Sequence, residues 1–239
     1  MQNDLSGAVW QALLLIARLD GNLIEIVALS LRVSLTAVLV AALLGMPLAA
    51  CLALFRFPGR KAVALMVNAG MGLPPVVVGL IVYLMLSRSG PLGTFGLLYS
   101  PAAMIIAQTI LILPVISAPA RQTIADLWTE YDEQMRSMDI GGVSLIGTML
   151  GEARFSLATA LLAGFGRASA EVGAVMIVGG NIDHATRVMT TAIALETSKG
   201  NLSLALGLGL ILLLLSLSVN LAVHLLGLWA PRYGAARPA

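Results

Sequence analysis

Long apolar stretches separated by short polar segments dominate this chain of 239 residues. A helix needs about 20 mostly apolar residues to cross the hydrocarbon core of a bilayer. Five stretches reach this length, namely Val33–Leu54, Ala62–Leu86, Ala102–Ala120, Leu157–Val178 and Leu202–Leu228. The pattern therefore predicts an all-α membrane protein, a polytopic bundle of five transmembrane helices.

An earlier apolar run, Gly7–Ala17, is too short to span the membrane. Asp4 is the only charge before it, so the run lacks the basic start of a signal peptide. We interpret it as an interfacial helix with Trp10 at the level of the lipid headgroups. The predicted organisation is an interfacial helix in residues 1–22, a transmembrane domain in residues 23–228 and a cytoplasmic tail in residues 229–239.

Composition supports the membrane assignment and narrows the possible functions. Hydrophobic residues make up 59% of the chain and charged residues 11%, against about 25% charged residues in soluble proteins. A net charge of +2 does not supply the basic field that holds a protein on nucleic acid. One cysteine and two histidines exclude an internal disulfide and argue against a zinc site. We therefore expect a lipid-embedded protein without a metal, a cofactor or a nucleic-acid partner.

The loops on the two sides of the predicted bundle differ in their content of lysine and arginine. Loops of one side carry eight, namely Arg56, Arg60, Lys61, Arg121, Arg136, Arg154, Arg232 and Arg237. Loops of the other side carry Arg18, Arg88, Arg187 and Lys199. Because basic loops tend to stay in the cytoplasm, we expect a multi-pass protein of the cytoplasmic membrane, with its C-terminus inside and its N-terminus outside.

The longest connection, residues 121–156, faces the cytoplasm in this topology. Apolar residues at helical spacing predict an amphipathic helix in its first half. These residues are Ile124, Leu127, Trp128, Tyr131, Met135 and Met138. Gly141 and Gly142 then break the helix, and Val143–Leu150 forms a second short helix. For a single residue the pattern favours packing on the chain's own bundle, but for the whole element it favours docking to a protein partner.

Two of the apolar stretches contain candidates for a pathway, an Arg-Glu pair and a pair of prolines, although proline is common in membrane helices without such a role. Arg167 and Glu171 lie four residues apart in the fourth stretch and therefore share one helix face. A charge inside the membrane costs at least about 2.5 kcal/mol, so the pair should face the bundle interior, either locking the helices together or lining a pathway. Pro74 and Pro75 interrupt the second stretch, where freed backbone groups can line a cavity.

A polar loop follows the fourth stretch and begins with two glycines. Glycine-rich turns can aim several amide groups at an anion, and threonine hydroxyls complement an oxyanion, although the same pattern is typical of plain turns. We include this loop in a candidate translocation pathway. The candidate pathway comprises Pro74, Pro75, Arg167, Glu171, Gly179, Gly180, Asn181, Thr190 and Thr191.

The chain lacks the common catalytic motifs. It has only two lysines, Lys61 and Lys199, and neither belongs to a G-x-x-x-x-G-K-[ST] phosphate-binding loop. An H-E-x-x-H metal pair and a G-x-S-x-G nucleophile turn are also absent from the sequence. We therefore expect no catalytic residue here, and any ATP hydrolysis must come from another chain.

Several segments resemble the permease subunits of molybdate, tungstate and sulfate ABC importers, with the tungstate branch closest. The signature-like segment is FGRASAEVGAVMIVGGNI at 165–182. The others are MTTAIALETSKGN at 189–201, GLPPVVVG at 72–79 and LSRSGPLG at 86–93. The resemblance runs from about Leu23 to Leu228 and implies the type I importer fold. It also implies three kinds of partner: a second copy of this subunit, a cytoplasmic dimer of ABC ATPase subunits and an extracytoplasmic oxyanion-binding protein.

Permeases of this family carry an E-A-A-x3-G motif in a cytoplasmic loop that sits in a groove of the ATPase. The matching positions are Glu133, Gln134, Met135 and Asp139, so an aspartate stands in the glycine position. The resemblance implies that coupling to the ATPase uses these four residues together with Ile140, Gly141 and Gly142. The later part of the motif is also altered, to Met149-Leu150-Gly151-Glu152.

The leading hypothesis is therefore the permease subunit of an ATP-driven oxyanion importer, with tungstate ahead of molybdate and then sulfate. One alternative is a secondary anion transporter that uses Arg167 and Glu171 as a binding or proton site. The absence of a detectable inverted repeat argues against it. Another alternative is a structural membrane subunit that only holds partners.

Overall fold

The computed structural model describes residues 2–139 and 141–229, and in these two ranges the only regular elements are helices. A single short 3-10 turn lies at Gly93–Phe95. The α-helices are α1 Gln2–Ala17, α2 Gly21–Leu54, α3 Arg60–Gly70, α4 Pro75–Leu86, α5 Pro101–Ser137, α6 Gly142–Glu152, α7 Arg154–Ser169, α8 Gly173–Gly179, α9 Met189–Ser198 and α10 Leu202–Trp229. The expected all-α fold is confirmed.

Three of these helices are long and apolar enough to cross a membrane, namely α2, α5 and α10. Two further pairs, α3 with α4 and α6 with α7, pass the same test only as bent units, which gives up to five spans. The first, third and fifth predicted spans therefore correspond to single helices. The second and fourth predicted spans are interrupted.

Helix α2 begins at Gly21, well before the predicted start at Val33. The Asp20 carboxylate accepts hydrogen bonds from the backbone N–H groups of Asn22 and Leu23, both at 3.1 Å, and so caps the helix. Before it, α1 packs on α10. Ala12 is fully buried, and its carbonyl oxygen would lie 3.7 Å from a Cβ added at Gly207.

The second predicted span is broken between Gly70 and Pro75. Its second half is bent by 109° from the direction of the first. Pro75 is the first residue of α4. Proline fits there because a backbone N–H group at this position would have no partner within the helix. Pro74 before it is in an extended conformation. The Pro74-Pro75 pair thus acts as the start of a new helix.

The fourth predicted span, Leu157–Val178, is not one helix. Helix α7 ends at Ser169 and α8 begins at Gly173, so Glu171 lies between two helices and not on the middle of one. Arg167 is in the last turn of α7. The expectation that both residues share one continuous helix is wrong because the backbone at this point is held by groups from other elements, as described below.

Helices α2 and α5 form the centre of the bundle. Ala37 and Ala41 of α2 are fully buried and belong to one apolar cluster with Ile112 and Ile116 of α5. Helix α5 continues without a break into the amphipathic segment predicted for the cytoplasmic loop and ends at Ser137. The predicted loop helix is therefore the second half of a 37-residue helix that begins in the apolar third stretch.

Candidate functional site: an interrupted span and a coupling element

The break between α7 and α8 frees backbone groups inside the bundle, and two buried side chains bind them. Gln108 of α5 donates from Nε2 to the carbonyl oxygen of Ala168 at 3.2 Å. Glu171 accepts a hydrogen bond at Oε1 from the backbone N–H of Ala174 at 3.1 Å, in the first turn of α8. A broken helix is tolerated in a membrane where protein groups satisfy its backbone in this way.

Arg167 and Glu171 form the ion pair that their spacing predicts. Arg167 Nη1 lies 2.6 Å from Glu171 Oε2. The Glu171 side chain is 4% exposed and the Arg167 side chain 36% exposed. The pair is therefore asymmetric, because the carboxylate is enclosed by protein while the guanidinium reaches the surface of the isolated subunit.

Thr190, Thr191 and Asn181 connect the break to the polar loop that follows α8. Thr190 donates from Oγ1 to the carbonyl oxygen of Glu171 at 2.8 Å. Asn181 donates from Nδ2 to the carbonyl oxygen of Thr191 at 3.3 Å, while its own Oδ1 is buried without a hydrogen-bond partner. Five of the predicted pathway residues thus form two hydrogen-bonded groups, Arg167–Glu171–Thr190 and Asn181–Thr191, which are linked by the chain at Thr190-Thr191.

A small polar cavity of about 10 Å³ lies at the centre of this network. Its lining residues come from α2, α5, the α7–α8 break and the start of α9, and they are Ser30, Val33, Ser34, Gln108, Ala168, Ser169, Glu171, Val188 and Thr190. That volume holds about one water molecule. It is too small for a tetrahedral oxyanion, and the Glu171 carboxylate would repel one. In this conformation the network holds helices together.

Gly179 and Gly180, also predicted pathway residues, end α8 in a tight turn. Gly180 has φ +71°, a left-handed conformation that suits glycine. A Cβ at Gly179 would lie 3.1 Å from the side chain of Met104, and one at Gly180 would lie 2.9 Å from the ring of Tyr99. Close packing against Tyr99 and the left-handed backbone therefore require glycine at position 180, whereas a side chain at position 179 would press on Met104.

The loop after Gly180 is also tied to the start of α2. His184 Nδ1 lies 2.8 Å from Glu25 Oε2. This hydrogen bond, together with the charge of Glu25, raises the pKa of His184 above its usual value. Arg187 Nη1 pairs with Asp183 Oδ1 at 2.7 Å. These pairs tie the loop to α2 and to itself, while the Nε of Arg187 is buried without a hydrogen-bond partner.

The two broken spans meet each other in the bundle. A Cβ added at Gly79 of α4 would lie 2.7 Å from the Cα of Ala174 in α8, and one at Gly173 would lie 2.8 Å from the side chain of Val76. Pro74 and Pro75, at the start of α4, therefore belong to the same region as Glu171 and the start of α8. The structure brings six predicted pathway residues together around the two breaks and places Gly179, Gly180 and Asn181 at the far end of α8.

The coupling element consists of the second half of α5, the described residues 138, 139 and 141 that follow it, and α6. Most of its predicted apolar face is covered by this chain. Ile124, Leu127 and Met135 are buried in one cluster with residues of α2 and α6, and Trp128 and Tyr131 pack against it. The argument that this face requires a protein partner is therefore wrong for these five residues, since α2 and α6 supply the apolar surface that covers them.

The tip of the coupling element, which comprises residues 138, 139 and 141–143, is exposed and not covered by this chain. Met138 is 60% exposed and Val143 is 85% exposed, and the predicted contact residues Glu133 and Gln134 are exposed as well. Asp139 has φ +53° and Gly142 has φ +59°, so both positions adopt the left-handed turn conformation. Gly141 is extended, with φ −139°. The predicted residue Ile140 lies outside the described residues.

Sequence reasoning missed Gln108 and Ser30. Ser30 accepts a hydrogen bond at Oγ from the backbone N–H of Met189 at 2.7 Å and donates to the carbonyl oxygen of Ile26 at 2.8 Å. Gln108 was visible as an amide within an apolar stretch, but its partner lies 60 residues away. In the part of the chain that the structure describes, no group of three or more His, Cys, Asp or Glu side chains could hold a metal ion.

Known proteins with similar sequences are permease subunits of transport systems. A probable anion ABC transporter permease protein of Haloferax volcanii is 46% identical over 187 residues, which cover 75% of this chain and 80% of the relative. The tungstate uptake system permease protein TupB of Campylobacter jejuni is 38% identical over 193 residues, 81% of each chain. TupB of Peptoclostridium acidaminophilum is 37% identical over 215 residues, 90% of this chain and 94% of the relative.

More distant relatives transport a different oxyanion. The sulfate transport system permease protein CysW of Escherichia coli is 25% identical over 183 residues. No family model matches the chain. High identity over most of both chains, a helical membrane fold and the signature-like segment at 165–182 agree with one another. This chain therefore belongs to the family of anion ABC transporter permeases that includes the tungstate uptake permeases.

Proposed function

We propose that this chain is the membrane subunit of an ATP-driven importer of tungstate, and that it works as a pair of identical subunits with an ABC ATPase dimer and an extracytoplasmic oxyanion-binding protein. The substrate proposal rests on the two TupB relatives, whose names specify tungstate. Molybdate and then sulfate are the next candidates, because both are tetrahedral oxyanions of the same charge. The ATPase must be a separate chain because this sequence has no phosphate-binding loop.

The observation that carries the coupling proposal is the exposed tip of the coupling element. Met138 and Val143 are large apolar side chains that remain exposed although the neighbouring apolar residues Met135, Leu145 and Met149 are buried. Exposed apolar groups at the end of a rigid, well-packed element fit a protein-docking surface. Because Met135, Leu145 and Met149 join the tip to α2 and α5, a movement of the tip would be transmitted into the bundle.

The position of the tip supports the proposed orientation. Residues of α2 that pack on the coupling element include Ala53, whereas Ser30 of α2 binds Met189, the first residue of α9, directly after the polar loop. The 23 residues between them span about 35 Å of helix at 1.5 Å per residue, close to the thickness of the hydrocarbon core. The coupling element and the polar loop therefore fit opposite membrane faces, with the tip in the cytoplasm, where ATP is found.

The pathway proposal concerns the two broken spans. Discontinuous helices line substrate paths in many transporters because their free backbone ends can face a cavity. Here the start of α4 at Pro74-Pro75 packs closely on the start of α8, and Thr190 and Arg167 bind Glu171 at the adjoining break. We propose that this arrangement is the closed state, and that rearrangement of α4, α8 and the Gly179–Asn181 turn opens the path.

A coupled transport assay tests the proposal. Val143→Asp should abolish ATP-driven tungstate uptake in proteoliposomes that contain the cognate ATPase and binding protein, because a desolvated carboxylate would weaken an apolar contact. The matched control is Thr129→Asp, which adds the same charge on the exposed face of α5. Both variants should fold and insert into the membrane normally, because both positions are exposed in the structure. Equal uptake by the two variants would contradict the docking role of the tip.

The same assay distinguishes the substrate and the energy source. Tungstate should stimulate ATP hydrolysis at lower concentration than molybdate or sulfate. Equal stimulation by all three anions would refute the tungstate assignment. Uptake driven by a proton gradient in the absence of the ATPase would support a secondary transporter instead.

A further inference from the structure

A cluster of four basic side chains surrounds a cavity at the end of α2, apart from the sites described above. The cavity has a volume of about 800 Å³ and is lined by Arg56, Phe57, Gly59, Arg60, Lys61, Ala62, Ala64 and Arg121. This volume lies within the range of small-ligand sites. Its lining contains four cations and no carboxylate, so the cavity suits an anionic group.

One of the four cations is held by hydrogen bonds to the chain, and a second has a buried nitrogen without a partner. Arg60 donates from Nε to the carbonyl oxygen of Leu52 at 2.6 Å and from Nη2 to that of Ala53 at 3.1 Å, which caps the last turn of α2. Arg121 lies on α5, and its Nε is buried without a hydrogen-bond partner. An unpaired buried donor beside a basic cavity is costly unless a ligand accepts from it.

None of the four cations forms an ion pair within the part of the chain that the structure describes. The nearest acidic residue on α5, Asp126, accepts a hydrogen bond from Gln122 at 2.8 Å. Arg56 and Lys61 are exposed. The positive charge of the cavity is therefore not neutralised by this chain.

The surroundings of the cavity are apolar. Leu65 follows Lys61 by four residues, so the two share one face of α3, and Leu65 is 69% exposed. Its neighbour Met66 is 72% exposed and Phe57 is 42% exposed. On the opposite side of α3, Val67 packs on Leu52 of α2. A basic cavity that continues into an exposed apolar strip at the end of membrane helices matches a lipid, with its headgroup in the cavity and a chain along α3.

We propose that this cavity binds the phosphate group of an anionic phospholipid of the cytoplasmic leaflet. Basic pockets between membrane helices on the cytoplasmic side bind such headgroups, and arginine matches the geometry of phosphate oxygens. A free oxyanion would use the same four cations, but it would not use Phe57, Leu65 and Met66. The inference rests on the proposed function only for the choice of the cytoplasmic face.

Binding of defined lipids to the full-length chain in its purified transporter tests this proposal. The probes are phosphatidylglycerol, phosphatidylcholine, inorganic phosphate and tungstate. Phosphatidylglycerol should bind saturably and at least about ten-fold more tightly than phosphatidylcholine. Arg56→Gln and Lys61→Gln should each weaken it about five-fold, which corresponds to about 1 kcal/mol for one basic residue near a membrane surface.

The matched control is Arg154→Gln. Arg154 lies outside the cavity, donates to the carbonyl oxygen of Gly151 at 3.1 Å and sits 5.0 Å from the ring centre of Phe155. Its loss should leave lipid binding unchanged. Equal weakening by all three variants would indicate general surface charge and would overturn the proposal, as would equal binding of the two lipids.

Two other outcomes would assign the cavity to a different ligand. Displacement of phosphatidylglycerol by tungstate or inorganic phosphate at similar concentration would indicate a free-oxyanion site. Lipid binding to the separate subunit that is lost in the complete transporter would show that a protein covers the cavity. Either result refutes the lipid assignment. Because this measurement needs neither uptake nor ATP hydrolysis, its failure is distinguishable from failure of the transport proposal.

Discussion

At the scale of single residues, Glu171 joins more elements than any other predicted pathway residue. Its carboxylate binds Arg167 and the backbone N–H of Ala174, and its carbonyl oxygen accepts from Thr190. Because it is 4% exposed and Arg167 is 36% exposed, the two partners do not depend on the pair equally. Removing the cation leaves a buried charge, whereas removing the carboxylate leaves a cation that water can still reach.

This asymmetry predicts the effects of three variants. Arg167→Gln should lower the free energy of unfolding by about 3 kcal/mol, since it strands the buried carboxylate. Glu171→Gln should cost only about 1 kcal/mol, because the amide oxygen can still accept from Ala174. The double variant should be more stable than Arg167→Gln alone. Thermal unfolding of the purified protein in one detergent measures the order.

Equal losses for the two single variants, or strictly additive losses in the double variant, would contradict this account. The sequence predicted the pair because the two residues are four apart. It could not predict that Gln108 binds Ala168 or that Ser30 binds Met189, since these partners are 60 and 159 residues apart. Only the packed bundle brings such groups together.

At the scale of elements, the contact between α4 and α8 joins the two broken spans. A Cβ added at Gly79 would lie 2.7 Å from the Cα of Ala174, which is a backbone atom and cannot rotate away. Gly79→Ala should therefore push the helices apart and lower the free energy of unfolding by about 1–3 kcal/mol. It should also reduce transport, because the packing of the two breaks changes.

Gly147→Ala in α6 is the matched control for this substitution. A Cβ there would meet no atom within 4 Å, and alanine favours a helix over glycine by about 0.5–1 kcal/mol. The two variants should thus shift stability in opposite directions in parallel thermal unfolding experiments. A stabilising effect of Gly79→Ala would show that α4 and α8 do not pack this closely.

The elements also show which structural features the sequence could predict. Length and hydropathy identified α2, α5 and α10, because each is one long apolar helix. Pro74 and Pro75 signalled the break before α4. The break around Glu171 carried no such signal, since Ala170, Glu171 and Val172 contain neither glycine nor proline. It exists because Gln108, Thr190 and Glu171 itself satisfy the backbone there.

At the scale of the whole molecule, the proposals depend on which membrane face each end of α2 reaches. The bend of 109° between α3 and α4 allows two arrangements of residues 60–86, a broken span or a re-entrant loop. In a broken span, Pro58 and Ser89 lie on opposite faces. In a re-entrant loop they lie on the same face. The basic excess in loops predicts the broken span, with Pro58 in the cytoplasm and Ser89 outside.

Labelling of single cysteines in cells tests this topology. In a Cys51→Ser background, which removes the protein's one natural cysteine, Ser89→Cys should react with a membrane-impermeant thiol reagent in intact cells. Pro58→Cys and Ser144→Cys should react only after the membrane is permeabilised. All three positions are exposed in the structure, so lack of reaction in intact cells would reflect the membrane and not burial.

Each labelling pattern has a distinct consequence. Reaction of Ser144→Cys in intact cells would show that the orientation is the reverse of the predicted one, with the coupling element outside the cell and away from ATP. Reaction of both Pro58→Cys and Ser89→Cys from the same side of the membrane would show that α3 and α4 form a re-entrant loop. The expected pattern instead places Arg56, Lys61 and the exposed tip at Val143 on the cytoplasmic face, where both an anionic leaflet and an ATPase are within reach.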